Sequence, residues 1–349
     1  MHAVTIPAGG QYFATDIKLT GPYLEDFMVL ITGCNTLMGN SLITRLLKKG
    51  EKIKAIDNWK DARLPEEVEF IEGNVLDYEL LTEAFQGVDI LFHLMDIENP
   101  AHNGRRHMKK MNIAGTENVL KAAKEAEIKK IIFLSTGEVY GKTGDLIVEE
   151  HHAKKPVTPY GKDKLKAEAL CREKVEKEGA DITIFRPTLV TGPGIDDSMI
   201  LIILYMAMAM GDANQLYIAG DGNTRFQLIH PDDVADAMLK SLETPSSRGA
   251  IYNLGSDDVP TQMEQVIKVR EKAKLDCQIR HISPTTTKVL SFILKPLGIN
   301  YLREEHIMFI ISNFVLDCSR AKNDLKWQPT KNNIEIFVET IQWYEKEKL

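Results

Sequence analysis

The chain has 349 residues, of which 44% are hydrophobic and 27% charged, and its formal net charge is −7. Such a composition is ordinary for a globular protein, and the length suffices to bury a large core. The acidic balance argues against a polyanion binder, so no nucleic-acid partner is expected, and the lysine pairs at 48–49, 129–130 and 154–155 read as solvated faces.

Residues 1–26 show no basic segment followed by an apolar one; they read as an N-terminal extension with no secretory leader and no assigned function. From Phe27 onward, short apolar runs alternate with helical patterns. "FMVLIT" reads as a strand and "SLITRLLKKG" as an amphipathic helix closed by Gly50; "KIKAID", "VEFIEGNV" and "VDILFHLM" are the next strands. A long helix follows over roughly 105–126, then the strand "KKIIFLST", a helix over about 160–179 and the strand "DITIFRP". This alternation predicts right-handed βαβ crossovers, hence an α/β fold with a parallel sheet covered on both faces.

After Pro187 the rhythm changes: "TGPG" and "GDGN" are turns, "LYIAG" is a short strand, and a last helix lies near 334–348. The run "MILIILYMAMAM" at 199–210 is too short to cross a bilayer, which takes roughly 20 helical residues. It reads as a buried helix, or as one facing substrate or another subunit, and no membrane partner is expected. Cys34, Cys171, Cys277 and Cys318 form no CxxC pattern and read as reduced thiols of a cytoplasmic protein. The histidines show no ligand spacing; at the adjacent His151 and His152 the side chains diverge, so no metal is expected.

Open α/β sheets bind ligands at the carboxyl ends of their strands. The first strand ends in Thr32-Gly33 and passes through "ITGCNTLMGN" into a helix; Gly33, Thr36, Leu37, Met38 and Gly39 form a candidate pyrophosphate cradle, with Thr36 where a third glycine is expected. The second strand ends in Asp57, placed to accept from ribose hydroxyls. An acid there favours NAD, because it would repel the 2′-phosphate of NADP; Lys60 keeps NADP as the lesser alternative. Asn58, Asn74, Val75, Leu94, Met95 and Pro187 are further strand-end candidates for lining the cofactor. The fifth strand ends in "LSTGEVYG", presenting Ser135, Thr136 and Glu138. "PYGKDK" then places Tyr160 and Lys164 on one helical face, where an ammonium would favour the phenolate. Alone, that pair is also compatible with an exposed helix start.

Together, "ITGCNTLMG", "AID", "FHL", "NIAGTENVLKAA", "LSTGEVYG", "YGKDK", "RPTLVTGPG", "GDGN", "IHPDDVADA" and "NLGS" resemble the extended short-chain dehydrogenase/reductase family of the sugar-nucleotide epimerase/dehydratase type. The likeness runs from about residue 29 to 255, and "LKWQP" extends it toward 345. It implies a Rossmann-type, doubly wound NAD(P)-binding domain at 27–187. A smaller α/β region at 188–349 would be mainly substrate-binding, with some strands returning to the first domain. The resemblance also implies roles: Thr136 orients substrate, Tyr160 is the acid/base, Lys164 grips the nicotinamide ribose, and Asn112 supports the site. The helices holding Asn112 and Tyr160 match those of a homodimer interface in relatives.

Four departures qualify what the resemblance implies. Thr36 replaces a glycine and would be strained if its φ had to be positive. Met95 and Asp96 replace two alanines, Asp96 lying beside the cofactor or facing solvent. Gly137 replaces the acid of sugar 4,6-dehydratases, while Glu138 matches an acid of decarboxylases or merely bonds its loop. Arg225 falls one residue short of the arginine that holds a sugar diphosphate, leaving Phe226 there, and a one-residue slip along a strand reverses the face; Leu189 stands where an asparagine is common. The resulting expectation is a nucleoside-diphosphate-sugar 4-epimerase, with Thr136, Leu189 and Arg225 toward substrate. The alternatives are a reductase or dehydrogenase of a small apolar alcohol or ketone, like the hydroxysteroid and dihydroflavonol relatives, a sugar-nucleotide decarboxylase, or a non-catalytic nucleotide sensor.

Overall fold

The run MVLIT forms β1 (Met28–Thr32), its last four residues buried, and the apolar runs that follow form the other strands. The computed structural model describes residues 27–98, 104–144, 147–195, 215–274, 278–283, 285–286 and 312–348. The expectations for residues 1–26, the apolar run 199–210 and Cys277 lie outside these. The remaining strands in chain order are β2 (Lys52–Asp57), β3 (Glu69–Glu72), β4 (Ile90–His93), β5 (Lys130–Leu134), β6 (Ile147–Val148), β7 (Ile182–Pro187), β8 (Leu189–Val190), β9 (Gln215–Ala219), β10 (Leu228–Ile229), β11 (Ile251–Leu254), β12 (Gln278–Ile282) and β13 (Val315–Leu316).

Seven of them build one sheet in the order β11-β7-β5-β4-β1-β2-β3, every pairing parallel. From β1 the chain proceeds to β3 at one edge, then returns to β4 on β1's other side. The direction of winding therefore reverses between β1 and β4, which opens a crevice at their carboxyl ends. Alternate residues of β1 enter opposite cores, as a period of two requires. Val29 and Ile31 pack with Leu42, Ile43 and Leu46 of α1 (Leu37–Lys48), whereas Leu30 faces Leu81 of α2 (Tyr78–Ala84) and the core beyond it.

The helix expected over 105–126 comes in three pieces: α3 (Gly104–Lys109), a π-helical turn at Lys110–Gly115, and α4 (Thr116–Glu125). Helix α5 (Pro159–Glu178) is delimited by its own sequence. The Thr158 hydroxyl accepts from the Gly161 amide, Pro159 fits the first turn, and Gly179 closes the helix at φ +66°. Beyond β7, α6 (Pro231–Leu242) packs into the α1 side of the core, and β11 completes the main sheet. Helices α7 (Gln262–Lys272), α8 (Ser319–Leu325) and α9 (Asn333–Lys348) follow. Three two-stranded parallel pairs, β8–β10, β9–β12 and β6–β13, lie outside the main sheet. Among the described residues, no helix is long and apolar enough to cross a membrane.

Candidate active site

Gly33 ends β1 at φ +81°, and a Cβ there would lie 2.6 Å from the Met95 amide nitrogen. Glycine thus lets the loop after β1 close onto the loop after β4. At Gly39 an added Cβ would lie 2.5 Å from the Cys34 carbonyl oxygen, so the first turn of α1 rests directly on the preceding loop. Thr36 between them has φ −74° and ψ 161°. The suspected strain is absent, because this is extended backbone that a β-branched residue adopts freely. Its hydroxyl accepts from the Gly39 amide at 3.0 Å and donates to the Gly33 carbonyl at 2.9 Å, making Thr36 the N-cap of α1. The cap satisfies one first-turn amide. Those of Leu37 and Met38 keep the orphan-donor character of a helix start, where an anion is stabilised.

Asp57, at the end of β2, accepts from the Asn35 amide at 3.0 Å and from the Asn58 amide at 2.8 Å. It is buried, which pushes its carboxyl above the usual range. Nearby, Arg63 is engaged by Asp61 and Lys60 is exposed. Asn74 accepts from the Leu76 amide in its own turn, and Val75 is buried against Gly115. Leu94 and Met95 are buried at the crevice floor. Orphan amides at a glycine-lined helix start, with a buried acid ending the neighbouring strand, fit a dinucleotide. Among the described residues no group of three or more His, Cys, Asp or Glu is arranged to hold a metal.

Tyr160 and Lys164, one turn apart on α5, both reach Asp96. Its Oδ2 accepts from the phenol at 2.7 Å and from the ammonium at 2.9 Å. Asp96 therefore points into the site. Lys164 is buried, with Nζ 4.6 Å from the centre of the Phe133 ring. The expectation of an ammonium-favoured phenolate is corrected here. Burial first, then Asp96, Glu98 and Glu138, push the Tyr160 phenol well above its ordinary value. Thr136 ends β5 in extended conformation, and its hydroxyl accepts from the Glu138 amide. The Glu138 carboxylate in turn accepts from the Thr158 hydroxyl, the cap of α5.

Three supporting arrangements were not foreseen from sequence. Arg186 of β7 and Glu168 of α5 form a fully buried pair, with Nε to Oε1 at 2.8 Å and Nη2 to Oε2 at 2.6 Å. Ser135 donates to the same Oε1 at 2.6 Å, and Tyr140 joins through its hydroxyl, which accepts from Arg186 and donates to Asn253. The helix bearing Tyr160 and the strand end bearing Thr136 are thereby tied together. His93 lies between Thr32 (2.8 Å to Nδ1) and Thr116 (3.1 Å to Nε2). Because Thr116 donates its own proton to the Asn112 carbonyl, Nε2 is assigned as the donor and Nδ1 as the acceptor from Thr32. Burial holds this imidazole neutral, its pKa lowered to about 3. Lastly, the Asn112 side chain clamps the Ile97 backbone in both directions, at 2.8 and 2.9 Å, next to Asp96. A buried asparagine was the legible part of this; its partner was not.

Toward the substrate side, Leu189 in β8 is half-buried and packs against the cluster that contains Phe226. Phe226 is buried there, edge-on to Phe337. Arg225 is exposed and donates to the Val259 carbonyl. A Cβ on Gly137 would come within 2.9 Å of the Phe314 ring and 3.0 Å of Leu316, with the Pro187 carbonyl at 3.2 Å. A side chain there would have to displace the ends of Phe314 and Leu316.

Comparison with known proteins agrees with this geometry. The model of the NAD dependent epimerase/dehydratase family matches residues 29–255. The UDP-N-acetyl-alpha-D-glucosaminuronate decarboxylase of Bacillus cytotoxicus is 26% identical over 329 residues, covering 90% of this chain and 97% of the relative. The UDP-glucuronate 4-epimerase of Thermodesulfobacterium geofontis is 24% identical over 336 residues, covering 90% and 95%. Among solved structures, UDP-glucuronic acid 4-epimerase from Bacillus cereus in complex with NAD superposes with a TM-score of 0.74 at 22% identity, covering 92% of this chain and 99% of that one. Shared motifs across nearly two thirds of the sequence, a doubly wound parallel sheet and a dinucleotide crevice at its switch point all belong to one protein type: this chain is a member of the NAD dependent epimerase/dehydratase family.

Proposed function

We propose that the enzyme oxidises a secondary alcohol transiently and is a nucleoside-diphosphate-sugar 4-epimerase. The observation that carries this is the closely packed Gly137, which bears no acid. Dehydration needs a proton donor for the departing hydroxyl, and Gly137, closely packed by Phe314 and Leu316, supplies none at that position. Glu138, the acid that would suit decarboxylation, has its carboxylate on the cap of α5. What stays at the strand ends is Thr136, Tyr160 and Lys164, a set suited to moving one proton.

In this reading the amides of Leu37 and Met38, in the loop shaped by Gly33, Thr36 and Gly39, hold the pyrophosphate. Asp57 accepts from the adenosine ribose beside Asn58, and Asn74, Val75, Leu94, Met95 and Pro187 line the cofactor. Asn112 supports the floor, and Lys164 binds the nicotinamide ribose. NAD, when bound, would supply a reversible hydride acceptor for the carbinol carbon. Tyr160 carries the hydroxyl proton, and Thr136 orients the reacting oxygen. Leu189 and Arg225 lie toward the sugar diphosphate, and the helical segment holding Asn112 (α3, the π-turn and α4) together with α5 forms a homodimer interface, which sedimentation of the purified protein tests.

A reductase acting on an apolar ketone is the second reading. Phe226, buried where a diphosphate-binding arginine was expected, and Leu189 favour it. Proton NMR of UDP-hexoses incubated with the protein separates the two. Epimerisation inverts C4 without consuming NADH and is abolished in Tyr160→Phe, whereas ketone-dependent loss of nicotinamide absorbance establishes the reductase. Full activity of Tyr160→Phe would refute both.

A further inference from the structure

Asp96 departs from the family resemblance, which places an alanine there. Its side chain is 17% exposed, and one oxygen, Oδ2, takes both the phenol hydrogen of Tyr160 and a hydrogen of the Lys164 ammonium. The carboxylate is fixed from both sides. Leu94 and Met95 before it are buried, and Asn112 clamps the backbone of Ile97 after it. We propose that Asp96 is a positioning residue of the Tyr160–Lys164 couple: it holds the proton on the phenol and takes up the ammonium charge, so that the resting phenol must release its proton before it can accept one from an alcohol. The proposal rests on Tyr160 being the proton carrier.

The electrostatics follow from the contact. An ammonium alone beside a phenol favours the phenolate. Paired with a carboxylate at 2.9 Å it becomes a compact dipole whose field largely cancels at the ring. A phenolate would also face that carboxylate across 2.7 Å with no proton between them. Among the described residues, the charged groups facing the phenol include Asp96 and Glu98 from the loop after β4, Glu138 from the turn after β5 and Lys164 from α5 itself, while Arg105 from α3 reaches the adjoining Pro159 carbonyl and is paired with Asp163. Asp96, Glu98 and Glu138 all act to keep the proton on the phenol. Oxidation of an alcohol then first needs the phenol proton to leave for solvent water, so its rate rises with pH, while reduction of a carbonyl finds the proton in place.

The test is a titration of the whole protein labelled with carbon-13 at the tyrosine Cζ. The Tyr160 signal is assigned by its loss in Tyr160→Phe and followed with pH in wild type, Asp96→Asn and Glu98→Gln. Asp96→Asn is expected to lower the phenol midpoint by at least about one unit, a tenfold weaker hold on the proton, and Glu98→Gln by less, since it leaves the direct hydrogen bond in place. An unchanged or higher midpoint in Asp96→Asn overturns the proposal, and Asp96→Ser supplies the measurement if that variant does not fold. The titration reads only what Asp96 does to the phenol. Whether Tyr160 performs the proton transfer is decided separately by turnover of Tyr160→Phe, so the two ideas fail independently.

Discussion

Glu168→Gln is the substitution with the largest effect worked from the structure. Glu168 and Arg186 are both at 0% side-chain exposure, and the carboxylate takes two guanidinium hydrogens and the Ser135 hydroxyl. Glutamine keeps the shape but removes the charge and replaces one acceptor oxygen with an NH2 group that meets donors. Stranding one charge of a buried pair costs about 3–5 kcal/mol, a large part of the roughly 5–15 kcal/mol that holds a protein folded. A urea melt should show the midpoint falling with the slope unchanged. Glu168→Leu with Arg186→Leu removes both charges together and should cost less than the sum of the two single changes, by about 0.5–3 kcal/mol of coupling. A loss under about 1 kcal/mol for Glu168→Gln, or strict additivity, would refute the idea that this pair ties the Tyr160 helix to the Thr136 strand end.

Other expectations concern the first loop and acid stability. Thr36→Gly, which restores the usual glycine, should destabilise the protein by about 0.5–1 kcal/mol, since it deletes the helix cap and loosens the loop; an equal or higher thermal midpoint would contradict the cap. His93 is held neutral in the folded state with its pKa lowered to about 3. Its unfolded counterpart binds a proton below about 6.5, so its contribution is whole above that value and drains away as the pH falls toward 3. The loss attributable to His93 between pH 7 and 5 is about 2 kcal/mol. His230, lowered to about 4, acts in the same direction. His93→Asn should flatten the acid limb of stability against pH, and an unchanged limb would show that the imidazole does not govern it.

Much of this architecture is written locally. The helix α5 is bounded by Thr158, Pro159 and Gly179, and the inner strands of the main sheet are apolar runs, whereas the edge strand β3 (EFIE) has no buried residue. Strand-end logic therefore singles out Gly33, Asp57, Thr136, Tyr160 and Lys164 as candidates. What it missed is tertiary. Nothing near Arg186 in the sequence names Glu168 as its partner, 18 residues away on another element, and Asp96 was ambiguous because a loop residue's direction depends on what holds the loop. Thr36 misled in the other direction: the missing glycine was judged by a conformation the turn does not adopt. At the one-residue slip, Phe226 enters the core and Arg225 stays outside.

The π-turn at Lys110–Gly115 carries an extra residue in the chain's count as well as in its shape. Deleting one residue there would relax the segment to ordinary α-helix with its two flanks close to their present register, because the wide turn absorbs that residue. Arg105 would then keep its grip from α3 on Asp163, the buried neighbour of Lys164. Wider turns of this kind recur at functional sites, and here the turn contains Asn112, which clamps Ile97. A deletion that made the helix more regular would spare the flanks and cost the site that clamp, so length across 110–115 is under tighter constraint than the identity of its exposed residues.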